Sequence, residues 1–126
     1  MMRNSLDASS RGIFIGRYAG GTNTLYRTAD GTTSSLVTTP NSGLYRYTWV
    51  KLVRTGNNFL AYTCADGVGW ILAAGPIPMS MGNTIFVGLV TTGAASSGMY
   101  TGTLDNVSVT TTATSTSPVI IGTSTT

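Results

Sequence analysis

Hydrophobic and polar residues alternate with a period of two along most of the chain, most clearly from Tyr47 to Trp70. Such alternation is typical of a β-strand with one buried face. The runs Trp49–Arg54 and Phe59–Tyr62 both alternate in this way, and Thr55–Asn58 between them contains the glycine and asparagines of a tight turn. Asp66 and Gly67 then break the chain before a third apolar run. This stretch therefore predicts a three-stranded β-meander.

The rest of the chain repeats short apolar runs separated by turn residues at roughly ten-residue spacing, which favours a sandwich or a barrel. Thr84–Val90 is the most apolar run and is expected to lie deep in the fold, whereas Pro76 and Pro78 favour an edge strand or a loop at Ile77. The other predicted strands are 13–18, 24–28, 33–38, 99–103 and 107–110. The residues expected to face the core are Val50, Leu52, Ile85, Val87 and Leu89. No run has a sustained helical period, so the fold class is all-β.

The chain divides into two parts by composition. Residues 1–110 have the character of one β domain, and residues 111–126 form a Thr/Ser-rich arm of low complexity. The arm contains one apolar β-forming segment, Val119, Ile120 and Ile121. We expect this segment to dock on another protein subunit.

Charge and cysteine content exclude several classes of function. The net charge is +3, but the seven Lys and Arg residues are scattered singly, so we expect no nucleic-acid partner. No apolar run is long enough for a transmembrane helix, and we expect no membrane partner. Met1–Ser5 has no signal-peptide character, which favours folding where the chain is made. Cys64 cannot form an internal disulfide and is expected to be a small buried hydrophobic residue.

The titratable residues argue against catalysis. The sequence has no His and no Glu, and its four Asp residues each stand in a turn. Glycoside hydrolysis needs a pair of carboxyl groups, and a nucleophile activated by histidine needs the imidazole. A zinc site lacks its usual ligands. We therefore expect a protein that is not an enzyme and that has neither a cofactor nor a metal.

Four segments together resemble a known family. Met2–Asp7, Trp49–Asn57, Asp66–Trp70 and Leu104–Val107 occur in the same order as in the concanavalin A-like lectin/glucanase domains of the DUF1349 type. The resemblance implies a jelly roll, a two-sheet antiparallel β-sandwich with a curved face that binds sugars in some relatives. Relatives carry further strands before the segment that resembles Met2–Asp7. We therefore expect a shortened sandwich with an uncovered sheet edge.

Sugar binding requires aromatic rings that stack on pyranose faces. Tyr45, Tyr47 and Trp70 are the candidates for that role. The alternative is that Trp70 fills the core and that the two tyrosines, which share one strand face, are cross-strand packing partners.

Two functions follow as hypotheses. The first is a noncatalytic structural or assembly module, in particular a phage virion surface protein of the capsid-decoration or fibre type, made in the host cytoplasm. Its partners would be other protein subunits, in a homo-oligomer or on a capsid or fibre. The alternative is a carbohydrate-binding module of a bacterial secreted or cell-surface protein, whose partner would be a glycan.

Overall fold

The structure is a computed structural model that describes residues 1–41, 48–93, 98–99 and 101–111. The chain forms two compact units, Met1–Val90 and Thr91–Thr126. All regular structure within the described residues is β and lies in the first unit. The strands are β1 (Met2–Arg3), β2 (Gly12–Tyr18), β3 (Gly21–Arg27), β4 (Ser35–Pro40), β5 (Trp49–Thr55), β6 (Asn58–Cys64), β7 (Ile71–Pro78) and β8 (Phe86–Val87).

The strands form two antiparallel sheets that pack together as a β-sandwich, which confirms the predicted fold class. The larger sheet has the order β4-β3-β2-β1-β8, and the smaller sheet has the order β5-β6-β7. In the larger sheet, Ala19 and Gly20 make the tight turn between β2 and β3. The φ angle of Gly21 is +150°, and a Cβ atom there would lie only 2.2 Å from the carbonyl oxygen of Thr39, so the position requires glycine.

The smaller sheet is the predicted meander. Its first hairpin pairs Thr55 with Asn58 around a turn in which Gly56 has a φ of +59°. Strand β7 is an edge strand, as the two prolines predict, and its register with β6 shifts twice between Phe59 and Tyr62.

The core lies between the sheets and is small. Phe59 and Ala61 from the smaller sheet pack with Ile13 and Ile15 from the larger one, and all four are buried. Alternation explains this placement, because residues 59, 61 and 63 of β6 share the face that turns inward. We call this side of each sheet its inner face and the opposite side its outer face.

Two of the five residues expected to face the core pack against it, whereas the other three are partly open to solvent, and two of those three, Val50 and Val87, still lie on the inner faces. Leu52 and Ile85 are partly buried and pack against the core cluster. Val50, Val87 and Leu89 are 37%, 49% and 60% exposed. Val50 pairs with the buried Thr63 and therefore lies on the inner face, but β5 is an edge strand and its side chain stays open.

The apolar run Thr84–Val90 also does not form a deep strand. Only Phe86 and Val87 form a strand, and this strand lies at the edge of the larger sheet. An apolar run becomes a central strand only where ladder partners flank it on both sides. β8 has one such partner, β1, within the described part of the chain.

The predicted strands 99–103 and 107–110 are absent from the described residues of the second unit. These residues are exposed and have no ladder partner there, and a strand needs one. The chain bends at Asn106, which has a φ of 51° and donates from its side-chain amide to the carboxylate of Asp105 at 3.4 Å.

Candidate functional site

The inner face of the larger sheet stays open at its β8 end. Val87 stands directly opposite Met2, which stands opposite Ile13, so the three side chains share the inner face. Exposure rises along this row, from 1% at Ile13 to 49% at Val87, with Met2 partly buried between them. The smaller sheet, which has three strands, therefore leaves one end of the five-stranded sheet uncovered.

Further exposed apolar residues lie at the β8 end of the larger sheet. Phe86 is 46% exposed on the outer face of the same strand, and Leu89 and Val90 are 60% and 39% exposed immediately after it. We call these four residues, Phe86, Val87, Leu89 and Val90, the β8 edge. Neither charge nor proline occurs among them.

The other sheet edges carry features that discourage pairing with a further strand. β7 contains Pro76 and Pro78, and β4 ends in Pro40. β5 carries Lys51 and Arg54. Charged residues and proline on edge strands are the usual protection against edge-to-edge association. The β8 edge lacks this protection, which distinguishes it from the other three.

A second feature lies on the outer face of the smaller sheet. Lys51 on β5 stands opposite Tyr62 on β6, and Trp70 immediately precedes β7. The Lys51 Nζ atom lies 4.2 Å from the centre of the Trp70 ring and 4.9 Å from that of Tyr62. This is the geometry of a cation–π interaction with two rings, and all three residues are half-buried. We call Lys51, Tyr62 and Trp70 the aromatic–lysine cluster.

The turn between β6 and β7 leads directly into Trp70 and is held by the carboxylate of Asp66. The Asp66 carboxylate accepts hydrogen bonds from the backbone N–H groups of Gly69 at 2.8 Å and Val68 at 2.9 Å. These bonds favour the charged carboxylate and lower the pKa of Asp66. Gly67 has a φ of +81°, and a Cβ atom there would lie 3.2 Å from the Trp49 ring. The turn therefore packs closely on Trp49.

The structure places only one of the sequence-predicted site residues. Trp70 lies in the aromatic–lysine cluster, where Lys51 covers part of its ring. Tyr45 and Tyr47, as well as Val119, Ile120 and Ile121, lie outside the described residues. Sequence reasoning missed Lys51 and Tyr62 as neighbours of Trp70. Pairing the two runs of the predicted hairpin in register would have brought these two residues together.

The carboxylate groups of Asp7 and Asp30 in the first unit also accept hydrogen bonds from other groups of the protein. Asp30 accepts from the Arg11 side chain through both oxygens, at 3.1 Å each, and from its backbone N–H at 2.8 Å. These bonds lower the pKa of Asp30 to about 2. The Asp7 carboxylate accepts a hydrogen bond from the Ser5 hydroxyl at 3.2 Å.

Cys64 is buried, as predicted, and its Sγ atom accepts a hydrogen bond from the Gly67 N–H at 2.8 Å. Within the ranges that the structure describes, no three His, Cys, Asp or Glu side chains come together as a metal site would require. The same ranges contain no helix long and apolar enough to cross a membrane.

We compared this chain with known protein families, curated proteins and solved structures. No protein-family model, no curated protein and no solved structure matches this chain. The resemblance to concanavalin A-like lectin/glucanase domains therefore stays a prediction, and the functional proposals depend on this chain's own geometry.

Proposed function

We propose that this chain is a noncatalytic structural module that assembles with other protein subunits through its β8 edge. The observation that carries the proposal is the exposure of Val87, which shares a face with Met2 and Ile13 and yet is 49% open to solvent. A strand added beside β8 would extend the larger sheet and cover this side chain. The added strand would also pair with the side of β8 that has no ladder partner among the described residues.

The energetic reason is the apolar surface at this edge. Full burial of a Val, Leu or Phe side chain contributes roughly 1.5–3 kcal/mol relative to leaving it in water. Four such residues form the β8 edge, and each is between 39% and 60% exposed. Covering them contributes several kcal/mol, which is substantial beside a typical domain stability of about 5–15 kcal/mol.

The proposal that the module is noncatalytic is supported by its titratable residues. The sequence has no His and no Glu. The carboxylates of Asp30 and Asp66 are engaged by Arg11 and by backbone N–H groups, and both have lowered pKa values. A general acid needs a carboxyl group that stays protonated near the working pH, and the shifts of these two groups have the opposite direction.

The proposed partner is another protein subunit, and the proposed setting is a virion surface, in capsid decoration or in a fibre. The donor strand proposed for the β8 edge is the segment Val119–Ile121 of a neighbouring copy. It is apolar and favours β structure, and Pro118 and Gly122 stand on either side of it. Such an exchange would make the assembly a homo-oligomer.

Hydrogen–deuterium exchange tests this function directly. We expect amide exchange at Phe86–Leu89 to slow in concentrated, assembled protein relative to dilute protein. Exchange at Gly56 and Asn57, at the β5–β6 turn, should not change. Equal exchange at Phe86–Leu89 in both samples would contradict the proposal.

The aromatic–lysine cluster favours a second candidate function, carbohydrate binding on the outer face of the smaller sheet. Two half-buried rings beside an ammonium group match the stacking and hydrogen-bonding needs of a sugar. A glycan array with the intact chain and the variants Trp70→Ala and Tyr62→Ala tests this candidate. Binding that disappears in both folded variants would support it, and binding to no glycan would contradict it.

A further inference from the structure

A row of four positions crosses the outer face of the larger sheet. Phe86, Arg3, Gly12 and Arg27 stand opposite one another on β8, β1, β2 and β3, so they share the face opposite to Ile13. Gly12 has no side chain, and Cγ of Arg3 lies 3.1 Å from the place that a Cβ atom there would occupy, so the Arg3 side chain packs directly on the Gly12 backbone. The Cα atoms of Arg3 and Arg27 are two strand spacings apart, about 10 Å.

One loop holds both guanidinium groups. Arg3 Nη2 donates to the carbonyl oxygen of Asp7, and Arg27 Nη1 donates to that of Ala8 at 2.9 Å. Because these two carbonyl groups are consecutive, the two guanidinium groups are drawn toward the same stretch of backbone. Two like charges held in this way repel each other unless an anion lies near both.

The protein supplies little compensating charge in the region that the structure describes. The one ion pair formed by the described residues joins Arg11 and Asp30, so neither Arg3 nor Arg27 has a carboxylate partner. Asp30 lies close enough for the charge of Arg27 to lower its pKa, but both of its oxygens already bind Arg11. The Nε atom of Arg27 is buried and has no hydrogen-bond partner. A buried N–H group without an acceptor is costly, and a nearby anion would offset part of this cost by interacting with the guanidinium charge.

A cavity of about 210 Å³ lies beside this row. On one side it is lined by Arg3, Gly12 and Arg27, and on the other by Phe14 and Leu25, which form the next cross-strand pair on the outer face. Leu25 is 38% exposed. The cavity therefore combines two guanidinium groups with an apolar wall.

We propose that this cavity binds a ligand that carries an oxyanion, a phosphate or carboxylate group, on an apolar or ring-bearing body. The oxyanion would lie in the cavity between the guanidinium groups of Arg3 and Arg27, because guanidinium groups form strong paired hydrogen bonds with planar or tetrahedral oxyanions. The apolar body would contact Phe14 and Leu25. We call Arg3, Gly12, Arg27, Phe14 and Leu25 the oxyanion site.

Gly12 is essential to this geometry. A Cβ atom at this position would lie 2.8 Å from the carbonyl oxygen of Met2 and 3.1 Å from Cγ of Arg3. A side chain here would displace Arg3 and thereby move its guanidinium group away from the proposed oxyanion.

NMR titration of the ¹⁵N-labelled full chain at low salt tests the proposal, with phenyl phosphate and inorganic phosphate as probes and phenol as the neutral control. We expect saturable shifts of the Gly12 and Arg27 amide signals by phenyl phosphate, with a Kd of about 1 mM or tighter. Phosphate should shift the same signals with a weaker Kd, and phenol should not shift them. Added chloride should weaken both interactions by screening.

Charge-removal variants identify the residues responsible. Arg3→Gln and Arg27→Gln should each weaken phenyl phosphate binding about tenfold, as expected for one lost charge-assisted hydrogen bond. Arg17→Gln, at the far end of β2, removes the same charge and should leave the Kd unchanged. The thermal melting temperature of each variant shows whether a loss of binding comes from a loss of folding. If Arg27→Gln does not fold, Arg3→Gln alone tests the proposal. Shifts that do not saturate, or equal Kd values for all three variants, would overturn the proposal.

Discussion

The hydroxyl groups of Thr22 and Thr63 meet in the core, with their Oγ1 atoms 3.0 Å apart, and join the two sheets by a buried hydrogen bond. Both residues are fully buried. Thr63 Oγ1 also donates to the carbonyl oxygen of Trp49 at 3.1 Å. Because a hydroxyl has one hydrogen, Thr22 must be the donor to Thr63.

The direction of this hydrogen bond predicts that removing the two hydroxyl groups lowers the free energy of unfolding by different amounts. Thr63→Val removes the acceptor of Thr22 and the donor to Trp49, so we expect a loss of about 2–3 kcal/mol in the free energy of unfolding. Thr22→Val leaves the bond to Trp49 intact and should cost about 1 kcal/mol. Urea unfolding of the two variants and of the double variant measures this difference. Equal losses for the single variants would contradict the assigned direction.

A second prediction compares a fully buried core residue with one at the open end of the inner face. Phe59→Ala should reduce the free energy of unfolding by about 3–5 kcal/mol, since Phe59 is fully buried and its removal leaves a cavity. Val87→Ala should cost about 1 kcal/mol or less in the isolated chain, because its side chain is half exposed. Chemical unfolding in dilute solution checks both values. A cost at Val87 comparable to that at Phe59 would mean that Val87 is buried in the isolated chain.

The pH dependence of stability follows from Asp30. The pKa of its carboxyl group falls from 3.8 to about 2 in the folded chain, mainly because the Arg11 side chain donates to it. A lowered pKa means that the folded state favours the charged form. This contribution is therefore complete above pH 3.8 and disappears as the pH falls toward 2.

Asp30→Asn should consequently destabilise the chain at pH 6 and have little effect at pH 2. Arg11→Gln should show the same pH-dependent loss together with a constant one, because it also removes the hydrogen bond from Arg11 Nη1 to the Ser80 carbonyl oxygen. Thermal melting between these pH values measures the difference. An effect of Asp30→Asn that is the same at both pH values would show that its charge is not responsible.

The local pattern of the sequence was sufficient to predict the meander. Alternation between Trp49 and Tyr62 defines two faces, and Gly56 and Asn57 define the turn, so each choice depends on neighbours in sequence. The edge position of β7 was also predictable, because proline has no backbone N–H to donate and is therefore found on edge strands, where one side of the ladder is unpaired.

The position of Thr84–Val90 was not predictable in this way. Its composition is that of a buried strand, and the pairing of Val87 with Met2 even confirms that Val87 faces inward. Burial, however, depends on whether the opposite sheet extends over that residue, and the chain pattern contains no information on this point. The proposed oxyanion site was not predicted from the sequence either. Arg3 and Arg27 are distant in sequence, and they lie on one face of the sheet because β2 pairs with β1 on one side and with β3 on the other.

The proposed donor strand gives the next prediction. Deleting residues 112–126 removes Val119–Ile121 and should weaken self-association, while the far-UV circular dichroism of the β-sandwich should remain. Size-exclusion chromatography of the full and shortened chains over a range of concentrations measures the association. Identical elution of the two chains at every concentration would rule out this segment as the donor.

Native mass spectrometry of the full chain and of two lysine variants tests the central claim, assembly through the β8 edge, most directly. Val87→Lys places a charge at the half-exposed inner position, and Val68→Lys places the same charge at a turn residue that is 81% exposed. We expect oligomers from the full chain and from Val68→Lys, and monomers from Val87→Lys with its β-sandwich circular dichroism intact. A monomeric full chain, or oligomers of Val87→Lys as abundant as those of Val68→Lys, would contradict the claim.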